Sequence, residues 1–469
     1  MSKDSFDISG LSSNQRALLE LRLNKKQGGD ASGGNALAMD TGVRTPDGRD
    51  DENLVLIESA DSVDELLGEF YGRFPWPWQP TKFVYIDDPR FEVSMLNQDL
   101  GDWERQTIPT DAEVWVAGCG TNQALHMALR LPEARVVGSD VSEQSLMLCR
   151  NNARQLGVSN LELRQESLNH VTYESQFDYV VSTGVIHHNA DPAATLARLA
   201  TALKPSGILE LMVYNRFHRT LSSSFQKAVR ILSGSTGAVD FEADLSIARK
   251  LASNFPVDNQ LAALVKQYKD GPESDFADLL IHPVEHSYTV ESLRALAETC
   301  GLELMYPCIS LYAKFLAPAL EWQLDFGDAE LQALYSSLPD ASRWQVANLL
   351  LHEKSPLLWF YFQRQDSGRR RKTEAELCEE FLDRIFKQSA VKQLSYIRAV
   401  DGTYELTPRP LPYPLSPPDV SVRDVFEAVD AIRPMREILR QLNVESTFQK
   451  VNHIRTMLTT SAFPYLQVI

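Results

Sequence analysis

Val114-Trp-Val-Ala-Gly-Cys-Gly-Thr-Asn-Gln123 is an apolar, β-type run that ends in Gly-x-Gly. A helical segment comes next. A second apolar run, Val136-Val-Gly-Ser-Asp140, then ends in an acidic residue about twenty positions on. This is the layout of a nucleotide-binding βαβ unit. Gly118 and Gly120 allow a sharp turn and a close approach of backbone to ligand. Asp140 is placed to accept from the two hydroxyls of a ribose. Its alternative use is as a helix cap, because Ser142 and Glu143 open a helix. Gln123 and Ala124 stand where a dinucleotide fingerprint has its third glycine, and there is no Gly-Lys-Ser/Thr. Nothing in the loop is built to cradle phosphates.

Ala117-Gly-Cys-Gly-Thr-Asn122 resembles the first motif of the class I S-adenosylmethionine (SAM)-dependent methyltransferases. Further blocks come in that family's order. Leu161-Glu-Leu-Arg-Gln-Glu166-Ser167 stands where the family usually has Gly-Asp-Ala. Gln176-Phe-Asp-Tyr-Val-Val-Ser-Thr-Gly-Val-Ile-His-His188 is similar to its fourth strand. Leu203-Lys-Pro-Ser-Gly-Ile-Leu-Glu-Leu-Met-Val213 is similar to its Leu-Lys-Pro-Gly-Gly turn and fifth strand. Five ordered matches make chance an improbable source. The resemblance covers about 110–215 well and 280–317 more loosely. It implies an α/β, doubly wound Rossmann-like sheet and SAM as cofactor. Ala117, Gly118, Cys119 and Gly120 would face the methionine part and ribose, and Asp140 the ribose hydroxyls. Val141 would touch the adenine face. Glu166 would accept from the adenine amino group, and the Ser167 N–H would meet a ring nitrogen. Thr183 and Gly184 end the fourth strand, where ligands sit in open α/β sheets.

His187 and His188 lie next to that pocket, where a histidine can accept a proton from an O–H or N–H acceptor. His218, in Tyr214-Asn-Arg-Phe-His218, is a further base candidate. Tyr214 and Arg216 stand at the cleft mouth, with Arg216 suited to an acidic group. His286, before the late helix, can close over the substrate. The family's Asn/Asp-Pro-Pro-Tyr signature of amino-nitrogen methylation is replaced by Thr183-Gly-Val-Ile, which tilts the acceptor towards oxygen or carbon. His282-Pro-Val-Glu-His286 lacks the His-Glu-x-x-His spacing of zinc proteases, and no metal is expected.

The chain has 469 residues, 43% hydrophobic and 23% charged, as in ordinary globular proteins. No apolar run approaches a membrane span and the N-terminus has no signal-peptide core, so a cytoplasmic protein without membrane partners is expected. Five scattered cysteines without a C-x-x-C pair disfavour disulfides and zinc. A net charge of -17 disfavours nucleic acid. Arg369-Arg-Arg-Lys372 is the one basic run, read as a solvated cluster.

Residues 11–26 read as an amphipathic helix and 27–52 as a flexible linker, together a tethered segment over 1–52. The helix is similar to segments that precede domains in non-ribosomal peptide and polyketide synthases, which implies docking to a megasynthase through residues 11–26. Residues 53–105 are expected to hold two helical stretches, around 70–78 and 82–87, and an aromatic lid over the cleft, drawn from Tyr71, Phe74, Trp76 and Trp78; Tyr71 and Trp76 are substrate-site candidates. The methyltransferase domain is expected over 106–318, with residues 106–215 forming a parallel sheet with helices on both faces, and a helical insertion at about 216–280. Residues 319–469 are expected to form a helix-rich accessory domain, with a strand-like piece at 395–406, a break at Pro408–Pro418 and a helix at about 421–441. The expected activity is methyl transfer to a small-molecule or carrier-protein-bound intermediate. The alternative is a catalytically silent SAM-binding module of a biosynthetic complex.

Overall fold

A computed structural model describes residues 60–77, 80–234 and 239–469. The expected helix at 11–26, the linker at 27–52 and Trp78 lie outside the described residues. The chain order begins with α1 (Ala60–Arg73), β1 (Lys82–Ile86) and α2 (Phe91–Asp99). The alternation required by the apolar runs comes next: β2 (Glu113–Ala117), α3 (Gln123–Arg130), β3 (Arg135–Asp140), α4 (Glu143–Leu156), β4 (Leu161–Gln165), β5 (Phe177–Thr183), α5 (Pro192–Ala202) and β6 (Leu203–Val213). The caps are local. Ser142 Oγ accepts from Ser145 N–H at 3.2 Å to start α4, and Gly157 ends it at φ 67°. Asp191 Oδ1 accepts from Ala193 and Ala194 N–H to start α5, with Pro192 in its first turn.

After α6 (Arg216–Ser233) come α7 (Phe241–Ser253), α8 (Gln260–Tyr268) and α9 (Glu273–Leu280). Residues 220–286 form a compact unit of their own. Within it, Asp240 and Asn259 cap α7 and α8, and Gln226 Nε2 donates to the Leu279 carbonyl (3.0 Å) and to Glu285 (3.1 Å). The chain leaves and re-enters the larger unit at a backbone clasp: Tyr288 N–H donates to Tyr214 O and Arg216 N–H to Tyr288 O, both at 2.8 Å. The clasp brings the two ends of the insertion together, so the sheet keeps its register across it.

The larger unit resumes with α10 (Val290–Thr299), started by a Thr289/Ser292 capping box, then β7 (Leu302–Pro307), α11 (Ala329–Ser336), α12 (Asp340–Leu351) and β8 (Leu358–Arg364). The seven-stranded sheet runs β4-β3-β2-β5-β6-β8-β7. Neighbours from β4 to β6 are parallel, while β8 is antiparallel to both β6 and β7. Alternation along the strands supplies both cores. Trp115, Val180, Leu209, Leu211, Phe360 and Phe362 pack with α5, α10 and Trp344 on one face. Val114, Val116, Tyr179, Val181, Ile208 and Tyr361 pack with α2 and α3 on the other.

Three expectations are corrected. The domain boundary at 318 falls between two strands of one sheet: β8 comes from the stretch expected to be accessory and lies, antiparallel, between β6 and β7, whereas the strands of 106–215 are parallel as expected. Residues 82–86 are a strand, not a helix; rich in β-branched and aromatic residues, they pair in antiparallel register with β9 (Val391–Arg398). The helix expected at about 421–441 is two short helices, Arg423–Ala428 and Met435–Gln441, interrupted at Ala431 with φ 63°. The break at Pro408–Pro418 carries a short strand, Leu411–Tyr413, that also pairs with β9. No helix among the described residues is long and apolar enough to cross a membrane.

Every residue of α2 is buried, and Glu92, Asn97, Gln98 and Asp99 have side-chain partners. Gln98 Nε2 donates to the Thr459 and Leu466 carbonyls, and its Oε1 accepts from Val468 N–H at 2.8 Å. Asp99 accepts from the Ser461 N–H (2.8 Å), the Ser461 hydroxyl and the Tyr361 hydroxyl (2.9 Å). Burial, helped by the charge of Glu210, pushes the Asp99 carboxyl up to about 6 against those hydrogen bonds. The folded carboxyl thus titrates above the unfolded one, so its contribution to stability is full below about pH 4 and is lost as the pH rises to about 6. Asp99→Asn is expected to remove this slope. Urea unfolding at pH 4.5 and 7.5 should show wild type losing about 2 kcal/mol relative to the variant over that interval.

Candidate cofactor and acceptor site

The glycine loop is held from below by the end of β3. Gly118 (φ 74°) and Cys119 both donate their N–H to the Ser139 carbonyl at 2.8 Å. Gly120 (φ 52°) donates its N–H to Asp140 Oδ2 at 2.8 Å, while Asp140 Oδ1 accepts from Ser142 N–H at 2.9 Å. Asp140 is therefore a brace between the loop and α4, and Ser142, not Asp140, caps the helix. Each carboxylate oxygen has two lone pairs, so both retain the capacity to take a hydroxyl donor. Burial raises the Asp140 carboxyl, opposed by the Ser142, Gly120 and Val141 N–H groups. Cys119 points into the core beside Gly138 and its thiol is raised by burial, so only its backbone faces the loop.

Both glycines are required by close approach. A Cβ on Gly118 would stand 2.5 Å from Val185 Cγ1, and one on Gly120 2.8 Å from the Trp76 carbonyl oxygen. The second distance places the segment after α1 directly on the loop. Thr121 Oγ1 donates to the Pro77 carbonyl there at 2.6 Å. Further along α1, a Cβ on Gly68 would lie 3.8 Å from the Val141 carbonyl, and Asp64 hydrogen-bonds Ser167 and Asn169. Residues 60–77 thus cross the carboxyl ends of β2, β3 and β4. Of the aromatics expected in a lid, Phe74 is core, packed against Phe70 at 5.1 Å. Tyr71 is half-buried with its ring edge-on to Phe70, and Trp76 is half-buried.

The Glu166 carboxylate accepts from the Tyr173 hydroxyl at 2.5 Å, and Tyr173 also accepts from Arg164 at 2.7 Å. At the end of β5, Thr183 Oγ1 takes a hydrogen bond from Gln123, and Gly184 turns at φ 81° with its N–H on the Met212 carbonyl. A single 3-10 turn, Ile186–His188, then buries both histidines. The His187 ring lies 3.8 Å from the Tyr214 ring, and His188 is edge-on to Tyr214 at 5.2 Å. The Arg219 guanidinium sits 4.1 Å over the same tyrosine ring. The ends of β5 and β6 therefore share one aromatic and cationic wall. His218 is set differently: its Nε2 is 3.0 Å from the Ser355 carbonyl, which only accepts, so that nitrogen carries the proton and is not a base. Arg216 is held through its backbone to Tyr288. His286 belongs to the 220–286 unit.

The basic run is only partly solvated: Arg370 is exposed, whereas the Arg371 side chain is largely covered. Arg371 pairs with Asp340, Arg370 with Glu376 and Lys372 with Glu380, and Arg371 also lies over the Trp344 and Tyr306 rings. These charges are engaged within the chain.

Residues 114–249 match the family model described as "Methyltransferase domain". An uncharacterized protein of Synechococcus sp. is 30% identical over 62% of this chain and 69% of its own length. The chain carries a class I SAM-dependent methyltransferase domain. The trans-aconitate 2-methyltransferase of Deinococcus radiodurans is 32% identical over 34% of this chain, and the match spans 59% of that relative. In fold, this methyltransferase is similar to PKMT2 from Rickettsia typhi, with a TM-score of 0.51 at 13% identity over 84% of this chain and 77% of that one.

Motif reading did not find Asp64, Asn169, Asn189 and Thr195, whose side chains link α1 to the loops after β4 and β5. Asn169 and Asn189 neighbour the motifs, but Asp64 lies 103 positions from Ser167, and no spacing announces it. Gly118→Ala is expected to strain the loop and strike Val185. SAM affinity by calorimetry should fall more than about tenfold, and Gly118→Ala/Val185→Ala should recover only part, since the left-handed backbone still costs about 1–2 kcal/mol.

Proposed function

We propose that this chain transfers the methyl group of SAM to an oxygen or carbon acceptor on a small molecule or a carrier-bound intermediate. The observation that carries the reading is the joint arrangement of Gly118, Gly120 and Asp140. It is a loop stripped of side chains at two left-handed positions and braced by a carboxylate at the end of the next strand. Those residues fit a ribose and the chain attached to it. Bound SAM supplies a methyl group on a positively charged sulfur. The protein's own tasks are then to orient an acceptor and to exclude water. In this reading Val141, Glu166 and Ser167 line the adenine end, with Glu166 also held by Tyr173, and Thr183 and Gly184 flank the transferring end. Tyr214, His187, His188 and Arg219 form the acceptor wall. His187 and His188 are base candidates near the strand ends, and His218, with its Nε2 proton given to the Ser355 carbonyl, keeps Nδ1 as its basic nitrogen.

The oxygen or carbon acceptor is supported by Thr183-Gly-Val-Ile in place of an amino-nitrogen signature. It is also in keeping with 33% identity to a ubiquinone biosynthesis O-methyltransferase of Dinoroseobacter shibae, matched over 46% of that protein. A silent SAM-binding module would have no need of the buried histidine and tyrosine wall, which favours turnover.

Calorimetric titration with SAM and with S-adenosylhomocysteine tests the reading. Wild type should bind both saturably. Asp140→Ala, which removes the Gly120 brace and the hydroxyl acceptor together, should weaken both by at least about a hundredfold. Unchanged affinity in that variant would refute the ribose assignment.

A further inference from the structure

We propose that Asp64 is a positioning residue for the cofactor, a latch that fixes α1 across the cleft and sets the two loops beside it. The proposal rests on the cofactor reading above and adds to it a residue outside every family motif. Asp64 Oδ2 accepts from the Ser167 hydroxyl, and its two oxygens accept from Asn169 Nδ2 at 2.9 and 3.2 Å. Ser167 Oγ in turn accepts from Asn169 N–H at 3.0 Å. Asn169 Nδ2 also reaches Asn189 Oδ1 at 3.2 Å, and Asn169 Oδ1 accepts from the Thr195 hydroxyl at 2.8 Å. Asn189 Nδ2 donates to the Val185 carbonyl at 3.2 Å, and Val185 is the side chain that covers Gly118.

One carboxylate therefore heads a relay. It runs from α1, through the loop after β4 that presents the Ser167 N–H, to the turn after β5 that carries the two histidines. An ionised carboxylate only accepts, so every donor around it is oriented towards it, and the hydrogen bonds are charge-assisted. An amide at this position would turn a donor towards Ser167 or Asn169.

The latch is separable from the fold. Val63, Leu67 and Phe70 are buried and hold α1 by its apolar face, whereas Asp64 is only half-buried. Removing the carboxylate should leave α1 packed while the two loops lose their common anchor. The cost then appears in cofactor binding more than in stability, because ordering those loops must be provided by the ligand.

The test compares wild type, Asp64→Ala, Asp64→Asn, Asn169→Ala and the Asp64→Ala/Asn169→Ala pair. The readouts are calorimetric affinity for SAM and for adenosine, beside thermal melting. Asp64→Ala is expected to melt close to wild type yet to bind both ligands at least about tenfold more weakly. Asp64→Asn should bind with an intermediate affinity. The double variant should be no worse than the poorer single one, because the two residues act through one relay. Wild-type affinity for both ligands in a folded Asp64→Ala would overturn the latch, as would full additivity in the double variant. Should Asp64→Ala fail to fold, Ser167→Ala leaves α1 intact and carries the same expectation of weaker binding. Failure of the cofactor reading looks different: wild type itself would not bind SAM. SAM binding lost in Asp140→Ala but kept in Asp64→Ala would sink the latch alone.

Discussion

The insertion of β8 between β6 and β7 is the constraint on which the rest of the larger unit depends. Both edges of β8 are hydrogen-bonded, to Ile208–Val213 on one side and Leu302–Pro307 on the other. A central strand has no edge to leave unpaired, and its backbone groups have no other partners at that depth. The sheet is therefore complete only when residues 358–364 are in place. The chain beyond β8 is bound to the same sheet. Arg371 and Arg343 converge on Asp340, and Arg343 also pairs with Glu374, which accepts from the Trp344 indole. Buried pairs of this kind contribute little net stability but specify one arrangement.

The same logic ties the C-terminus to the helix that precedes β2. Gln98 and Asp99 sit on α2, packed on one face of the sheet, and together they take the backbone of Thr459, Ser461, Leu466 and Val468. A second buried acid, Glu210, lies on that face, accepting from the Tyr179 hydroxyl and from the Trp359 indole at 2.9 Å. Its carboxyl is raised by burial. The groups proposed to bind gather at the carboxyl ends of the strands. There the loops after β2, β3 and β4 converge under α1, and the loops after β5 and β6 share the Tyr214 stack. A cleft at the carboxyl edge of a parallel sheet brings together residues from many loops, each positioned by a rigid strand.

Much of this was legible in the residues themselves. Apolar runs at 114–117, 136–140 and 177–183 announced β2, β3 and β5, and Gly118, Gly120 and Asp140 stood at the strand ends where turns and polar groups are needed. Thr289 with Ser292 and Gly301 marked both ends of α10. The strand at 82–86 was not legible, because a five-residue run of mixed apolar character suits a helix or a strand until a partner is known. Leu358-Trp-Phe-Tyr-Phe362 reads as apolar in either state, and nothing within it says that it belongs between strands more than fifty and more than a hundred residues earlier.

By itself the sequence determined the βαβ alternation, the cofactor loop and the acidic end of β3. Those depend on local periodicity, on positive φ at glycine and on short loops between neighbouring elements. Only the tertiary structure decided the antiparallel β8, the neutralisation of Arg370, Arg371 and Lys372 by carboxylates of other elements, the commitment of His218 to Ser355 and the Asp64 relay. Each of these is a pairing that no local pattern of residues announces. Its energy comes from desolvation and hydrogen-bond geometry that exist only once the sheet has brought the partners together.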